Sequence, residues 1–291
     1  MFCEDHDIGY DTTIKKAEGG GFNIKVGTQT YRTLKLLFQA GIIRGRGTVV
    51  WRAINIGDLG HKEDESKWVT IKDVWADTSP PYTEDHYLKY AEKAGIDDIP
   101  EIMCVDEVKF GGRVDTTDAH FRDTLSSGPE NRIHRRQVTK SFGIKITEFR
   151  NKKELLQVLI QLIQIHERLV TAGLLHRDIS VQNLMMWYGP NGPPTDRQER
   201  VRRGFLIDFD YAAFIKDLAK ETSSIAHRTG TTPFMAVAIM TTDVTPNASH
   251  DLESFFWVLF FIAMEYDGPE SIRQKDHKGN PWDIYQTVIG E

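Results

Sequence analysis

The sequence predicts an α+β chain in two parts, a sheet-rich N-terminal part carrying one helix and a mainly α-helical C-terminal part. Three observations predict it. Strand-like runs divided by glycine-rich turns fill residues 29–150. Near residue 150 the apolar period changes from about two to about 3.6, the change from pleated strand to helix. The 291 residues exceed the usual single-domain length, so two compact parts are expected at 29–150 and 151–291, after a poorly ordered lead-in at 1–28.

The lead-in mixes charge with the run Gly19-Gly20-Gly21 and has no clear period. From Thr30 to Phe38 apolar and polar residues partly alternate; a glycine-rich stretch (41–48) follows, then Val49 to Ile54. Strand, glycine-rich turn and strand make a hairpin whose tip, at Gly45 and Gly47 ahead of Val50, has no side chain to keep a ligand away. Backbone amides exposed there suit phosphate oxygens. After a charged insert, His61 to Glu65, read as a solvated loop, Lys67 to Trp75 form a β-branched and aromatic run around Lys72. Strands rarely hold lysine except on a wet face. Lys72 is therefore either a surface residue or a cation kept for an anionic ligand.

Pro80-Pro81 opens a helix over Thr83 to Lys93 that Gly95 ends. Tyr87, Leu88 and Ala91 share one face of it, and Glu84, a turn before Leu88, is the residue expected to pair with Lys72, with Glu92 as second choice. Two further strands are expected at Ile102 to Val108 and Arg136 to Phe149, with a polar loop (111–131) between them.

Beyond residue 150, Leu155, Leu156, Leu159, Leu162, Ile163, His166 and Leu169 follow helical spacing up to Gly173, and His166 on that face reads as a core histidine. The next stretch, Leu174 to Leu184, contains His176-Arg177-Asp178 and, five residues on, Asn183, framed by apolar residues that pin a loop to a core. Phosphoryl transfer needs this pairing of groups: an acid to accept the proton of the attacking hydroxyl, and an amide oxygen to hold a metal on the phosphate. A strand pair interrupted by a turn-rich insert (189–195) then delivers Asp208-Phe209-Asp210 from the apolar run Gly204 to Ile207. A carboxylate leaving such a strand suits Mg²⁺, which prefers carboxylate and phosphate oxygens.

Composition narrows the class. The net charge of −6 argues against a general nucleic-acid binder, and the basic run Arg132 to Arg136 reads as a solvated face. Cys3 and Cys104 lie in no metal-ligand spacing and fit a reducing compartment. The acidic first residues differ from a signal peptide. The longest apolar run, Phe255 to Met264, is about half the roughly 20 residues a membrane span needs. The expectation is an intracellular chain, cytoplasmic or nuclear, with no membrane and no nucleic-acid partner. Nothing in the sequence specifies an oligomeric state.

Taken in order, His176-Arg177-Asp178 with Asn183, Asp208-Phe209-Asp210, Gly230-Thr231-Thr232-Pro233-Phe234-Met235-Ala236 and His250-Asp251-Leu252-Glu253-Ser254 resemble the protein kinase superfamily. Their particular wording is most similar to the fungal-type protein kinase family, over about Tyr31 to Met264. The resemblance implies a bilobal protein-kinase-like fold and a Mg-ATP-dependent enzyme phosphorylating Ser or Thr of a protein substrate. Asp178 is implied to be the base, Asn183 and Asp208 the Mg²⁺ ligands, and Lys72 the grip on the ATP phosphates with Glu84 its partner. Gly45, Gly47 and Val50 are implied to cover the nucleotide, and Asp251 to anchor the catalytic loop. Arg177, Thr229, Thr231 and Thr232 are implied for the activation segment, where Thr222, Ser223, Ser224 and Thr229 are candidate phosphate acceptors.

The chain departs from that pattern in four places. The hairpin lacks a third glycine. Asp210 replaces a glycine able to take positive φ. Ala236-Val237-Ala238 stands where kinases usually have A-P-E. The 40 residues after Asp251 are fewer than a C-terminal kinase lobe uses, so that lobe is expected to be incomplete and the apolar underside of helix 252–264 exposed. Two other readings compete: a small-molecule phosphotransferase of kinase-like fold, for which the Gly230 to Ala236 platform is superfluous, and a pseudokinase scaffold, although every acid the chemistry needs is present.

Overall fold

The computed structural model describes residues 11–41, 45–118, 131–140, 143–189, 201–218 and 230–275. The chain divides into two compact units, residues 1–85 with 100–142, and residues 86–99 with 143–291. The architecture is α+β, with a large antiparallel sheet in the N-terminal part and few helices.

The first unit is built on strands β1 (Ile14–Lys16), β2 (Phe22–Val26), β3 (Gln29–Gln39), β4 (Val49–Asn55), β5 (Trp68–Asp77), β6 (Ile102–Glu107) and β9 (Arg132–Thr139), in the order β1-β2-β3-β4-β5-β9-β6. A small hairpin, β7 (Lys109–Phe110) with β8 (Arg113–Val114), completes it. Ile24, Val26, Tyr31, Ala53, Val69, Ile71 and Val138 form its buried core. Because Ile24 and Val26 belong to that core, the expected lead-in is ordered structure from Asp11 onward. Its apolar residues are too few to show a period, and they become strands only by pairing with β3.

The basic run also differs from its reading as a solvated face. Arg132 to Arg136 lie inside β9, and Arg136 is 1% exposed. Its guanidinium donates to Asp73 at 2.7 Å, to Lys25 O at 3.2 Å, and to Asp11 and Thr13. Buried charge is tolerated where it is paired and hydrogen-bonded, and here it is both. The strand expected over 136–149 is instead β9, ending at Thr139, followed by the short β10 (Ile144–Lys145) and a 3₁₀ turn at Ile146–Glu148. Most of the polar loop at 111–131 lies outside the described residues.

Helix α1 (Glu84–Lys93) begins with Glu84 and Asp85 of the first unit and continues into the second. There Tyr87, Leu88 and Ala91 are buried, the face expected from their spacing. Helix α2 (Lys152–Thr171) is capped by Asn151, whose side chain accepts the Glu154 N–H, and ends at Gly173, which takes φ +84°. Its buried stripe is Leu155, Val158, Leu159, Leu162, Ile165, His166 and Leu169. Leu156 and Ile163, expected on that stripe, are exposed, because the covered arc is centred nearer Leu162.

Strands β12 (Leu184–Trp187) and β13 (Arg203–Leu206) form an antiparallel pair flanked by β10, and β11 (Leu174–Leu175) pairs with β14 (Ala213–Phe214). Gly204 lets β13 lie against α2, since a Cβ there would meet Leu162 Cγ at 2.8 Å. The short α3 (Ile215–Leu218) and α4 (Val237–Thr241) precede α5 (Ala248–Glu265), which Asn247 and His250 open with a capping box. Val258 and Ile262 of α5 are buried, while Leu252, Phe256, Leu259 and Phe260 are exposed along one side, as the sequence suggested for this helix. Among the described residues no helix is long and apolar enough to cross a membrane.

Candidate active site

In the first unit, Lys72 and Glu84 meet. Lys72 Nζ lies 2.8 Å from Glu84 Oε2, with both side chains largely buried. The surface reading of Lys72 therefore falls away. Glu84 Oε2 also accepts from Gln137 Nε2 at 3.2 Å, and Arg135 holds Asp85 at 3.1 Å, so β9 clamps the first turn of α1 through two contacts. Glu92 is exposed. The register sets Val50 directly opposite Lys72 on β4, and Lys72 opposite Gln137 on β9. The glycine tip is fastened to β5 where Trp75 N–H donates to Arg46 O at 2.8 Å, and Gly47 beside that bond takes φ +55°, a backbone conformation that favours glycine.

In the second unit, the loop from β11 to β12 carries His176, Arg177, Asp178 and Asn183. Asn183 Nδ2 donates to both the carbonyl and Oδ2 of Asp178, each at 2.9 Å. Both amide hydrogens are thus spent within the loop, which makes Oδ1 the atom of Asn183 suited to a cation. Thr231 donates its backbone N–H and its hydroxyl to Asp178 Oδ1, each at 2.8 Å. Gly230 admits this approach: it takes φ +122°, and a Cβ there would meet Arg177 O at 2.9 Å. Of the two threonines expected here, Thr231 reaches Asp178 and Thr232 is exposed. Thr229, with Thr222, Ser223 and Ser224, lies outside the described residues.

Asp208 follows β13, whose pairing with β12 sets Leu206 opposite Leu184, and Ile207 N–H donates to Asn183 O at 3.1 Å. Asp208 takes φ +65°, while Asp210 lies in the 3₁₀ turn Phe209–Tyr211. The positive φ is therefore carried by the first acid of the triplet, and an aspartate at 210 costs no backbone freedom. Burial pushes the Asp178 carboxyl above its usual range, and the charge of Asp208 pushes it further. Carboxylate and amide oxygens such as those of Asp178, Asp208 and Asn183 are the donor types that a hard divalent cation prefers.

Below the loop, Asp251 of α5 is 4% exposed. Its Oδ2 accepts the backbone amides of His176 and Arg177, each at 3.2 Å, and faces His166 Nε2 at 3.0 Å. His166 is a core residue, as its spacing suggested, and it also orients this anchor. Burial holds the His176 imidazole below its ordinary value despite the nearby charges of Asp251, Asp178 and Asp208. The neutral ring accepts the Asp178 N–H at Nδ1 and donates from Nε2 to Ile207 O at 3.1 Å. His176 thus ties the Asp178 backbone to the strand end that leads to Asp208. The sequence offered no signal for this role, nor for Gln137, since both depend on which strand lies alongside.

The family model for fungal protein kinase matches residues 1–263, so the chain belongs to that family. Membership makes it a kinase-type phosphotransferase. No curated protein matched the sequence in a direct comparison.

Proposed function

We propose that the chain is a Mg-ATP-dependent protein kinase of bilobal fold that phosphorylates Ser and Thr hydroxyls. The observation that carries this reading is the bonding of Asp178, whose Oδ1 already receives an aliphatic hydroxyl, that of Thr231, at 2.8 Å. An acceptor hydroxyl of the same chemistry fits the same oxygen. Asp178 takes that proton as the acceptor oxygen bonds the γ-phosphorus, and the bond from phosphorus to the β–γ bridging oxygen breaks to leave ADP. Asn183 Oδ1 and the Asp208 carboxylate are the groups that would hold Mg²⁺, which when bound neutralises charge on the transferring phosphate. Lys72, its ammonium held by Glu84, is assigned to the α- and β-phosphates; Val50, opposite it in register, is assigned with Gly45 and Gly47 of the hairpin tip to cover them.

A protein acceptor is favoured over a small alcohol by the segment from Gly230 to Ala236, which is seated on the base through Thr231 and has Phe234 buried beneath it. Purified protein incubated with Mg²⁺ and γ-labelled ATP, with protein and aminoglycoside acceptors in parallel, tests the assignment. The expected result is transfer to protein, lowered about 10²-fold or more in Asp178→Ala, the size of a general-base contribution. Mg²⁺-dependent nucleotide binding without transfer would identify a scaffold, and transfer to the aminoglycoside alone a small-molecule enzyme.

A further inference from the structure

Glu253 lies on α5 two residues after Asp251. Its Oε1 accepts the Val237 backbone N–H at 2.9 Å and the Trp257 indole N–H at 3.1 Å. Val237 is the first residue of α4, and the residue before it, Ala236, has no side chain that caps an amide. The first amides of a helix lack intrahelical partners. Here a carboxylate from a different helix supplies one.

The segment after Gly230 is thus held at three points. Thr231 is bonded to Asp178, Phe234 meets Phe261 edge-on at 5.4 Å, and Val237 is bonded to Glu253. Asp251 meanwhile holds the loop that carries Asp178. Residues two apart on a helix point about 200° apart, so the two carboxylates of α5 reach different stretches of chain. One helix therefore sets both the base and the segment beside it.

We propose that Glu253 is a positioning residue. It keeps the acceptor-facing segment in register with Asp178, in place of the glutamate that A-P-E would supply and that Ala238 lacks. A bond from an amide to a carboxylate is charge-assisted and directional, which is what a register constraint requires. This inference rests on the kinase reading above.

The test compares Glu253→Gln, whose amide oxygen still accepts the Val237 N–H, with Glu253→Ala. Glu253→Ala is expected to raise the KM for a protein acceptor such as casein about tenfold, the order of one hydrogen bond to a charged group, with the KM for ATP within about twofold; Glu253→Gln is expected to stay near wild type. Equal acceptor KM in wild type and Glu253→Ala, or equal losses in both variants, would overturn the proposal. Should Glu253→Ala not fold, Glu253→Asp, one methylene short of Val237, takes its place with the same expectation. Hydrogen exchange of residues 230–241 reads the tie without turnover, and acceleration of about tenfold is expected in the variant. If wild type transfers no phosphate yet exchange accelerates, the kinase reading fails while the tie stands; unchanged exchange removes the tie itself.

Discussion

Thr231 donates both its amide and its hydroxyl to Oδ1 of Asp178, at 2.8 Å each, across 53 positions of the chain. The proposed base is therefore oriented by the segment that would present its acceptor. Replacing Thr231 with Ala removes one of two donors and is expected to lower transfer about tenfold or more, while Thr231→Ser retains most of it. Steady-state rates at saturating ATP check this; a Thr231→Ala enzyme as fast as wild type would show that the hydroxyl does no orienting.

Asp251 carries the loop. Converting it to Ala strips a buried acceptor from two backbone amides and from His166, at a cost of about 3 kcal/mol or more. For a chain of this size that is a fall in Tm of roughly 6–12 °C. Asp251→Asn, which keeps one oxygen, is expected to fall less. Thermal melts of both variants decide it, and a melting point unchanged in Asp251→Ala would mean the loop is held by other contacts.

Nucleotide binding is expected to need both Lys72 and the cation. Lys72→Met and Asp208→Asn each are expected to abolish the rise in Tm that Mg-ATP produces, and chelation with EDTA is expected to do so in wild type. Glu84→Gln is expected to weaken ATP binding about tenfold while leaving acceptor KM unchanged, because it loosens the lysine without touching the base. A Tm rise with ATP that survives EDTA would refute the assignment of Asn183 and Asp208.

The first unit is expected to lose stability at both ends of the pH range. His134 stands between Asp73 and Asp115, at 2.5 and 3.0 Å, with each ring nitrogen facing a carboxylate, an arrangement only the imidazolium satisfies. Burial alone would lower its pKa, but the hydrogen bonds and charges of the two acids hold it above the ordinary value. Burial would likewise raise Asp73, and His134 with Arg136 hold it below the carboxylate range. A raised histidine stabilises fully below its unfolded pKa and loses that as pH climbs through the folded value; a lowered aspartate stabilises above its unfolded pKa and loses that as pH drops through the folded one. Melts across pH are expected to show both limbs, with His134→Gln removing the alkaline one. An alkaline limb unchanged in that variant would assign it elsewhere.

Transfer itself is expected to show an acid limb displaced upward from the ordinary carboxylate range, since Asp178 must be ionised to act and burial with Asp208 raises its pKa. Asp208→Asn removes the neighbouring charge and is expected to bring the Asp178 titration down, observable by NMR even in an inactive variant. A titration that does not move would exclude that charge as a cause.

The sequence by itself determined what is local. The hairpin 29–55, the helices at 84–93 and 152–171, and the spacing from Asp178 to Asn183 are written in short-range periodicity and turn residues, because side-chain period and loop length are properties of a few neighbouring residues. The acids and the amide of the candidate site were legible for the same reason. Tertiary structure decided which elements lie side by side. That choice selected Glu84 over Glu92 for Lys72, buried Arg136 against Asp73 where charge pattern suggested solvent, made strands of residues 14–26, and brought Thr231 to Asp178 and Glu253 to Val237. Periodicity states which residues share a face, but only strand register and helix packing state what covers that face, and those depend on residues far apart along the chain.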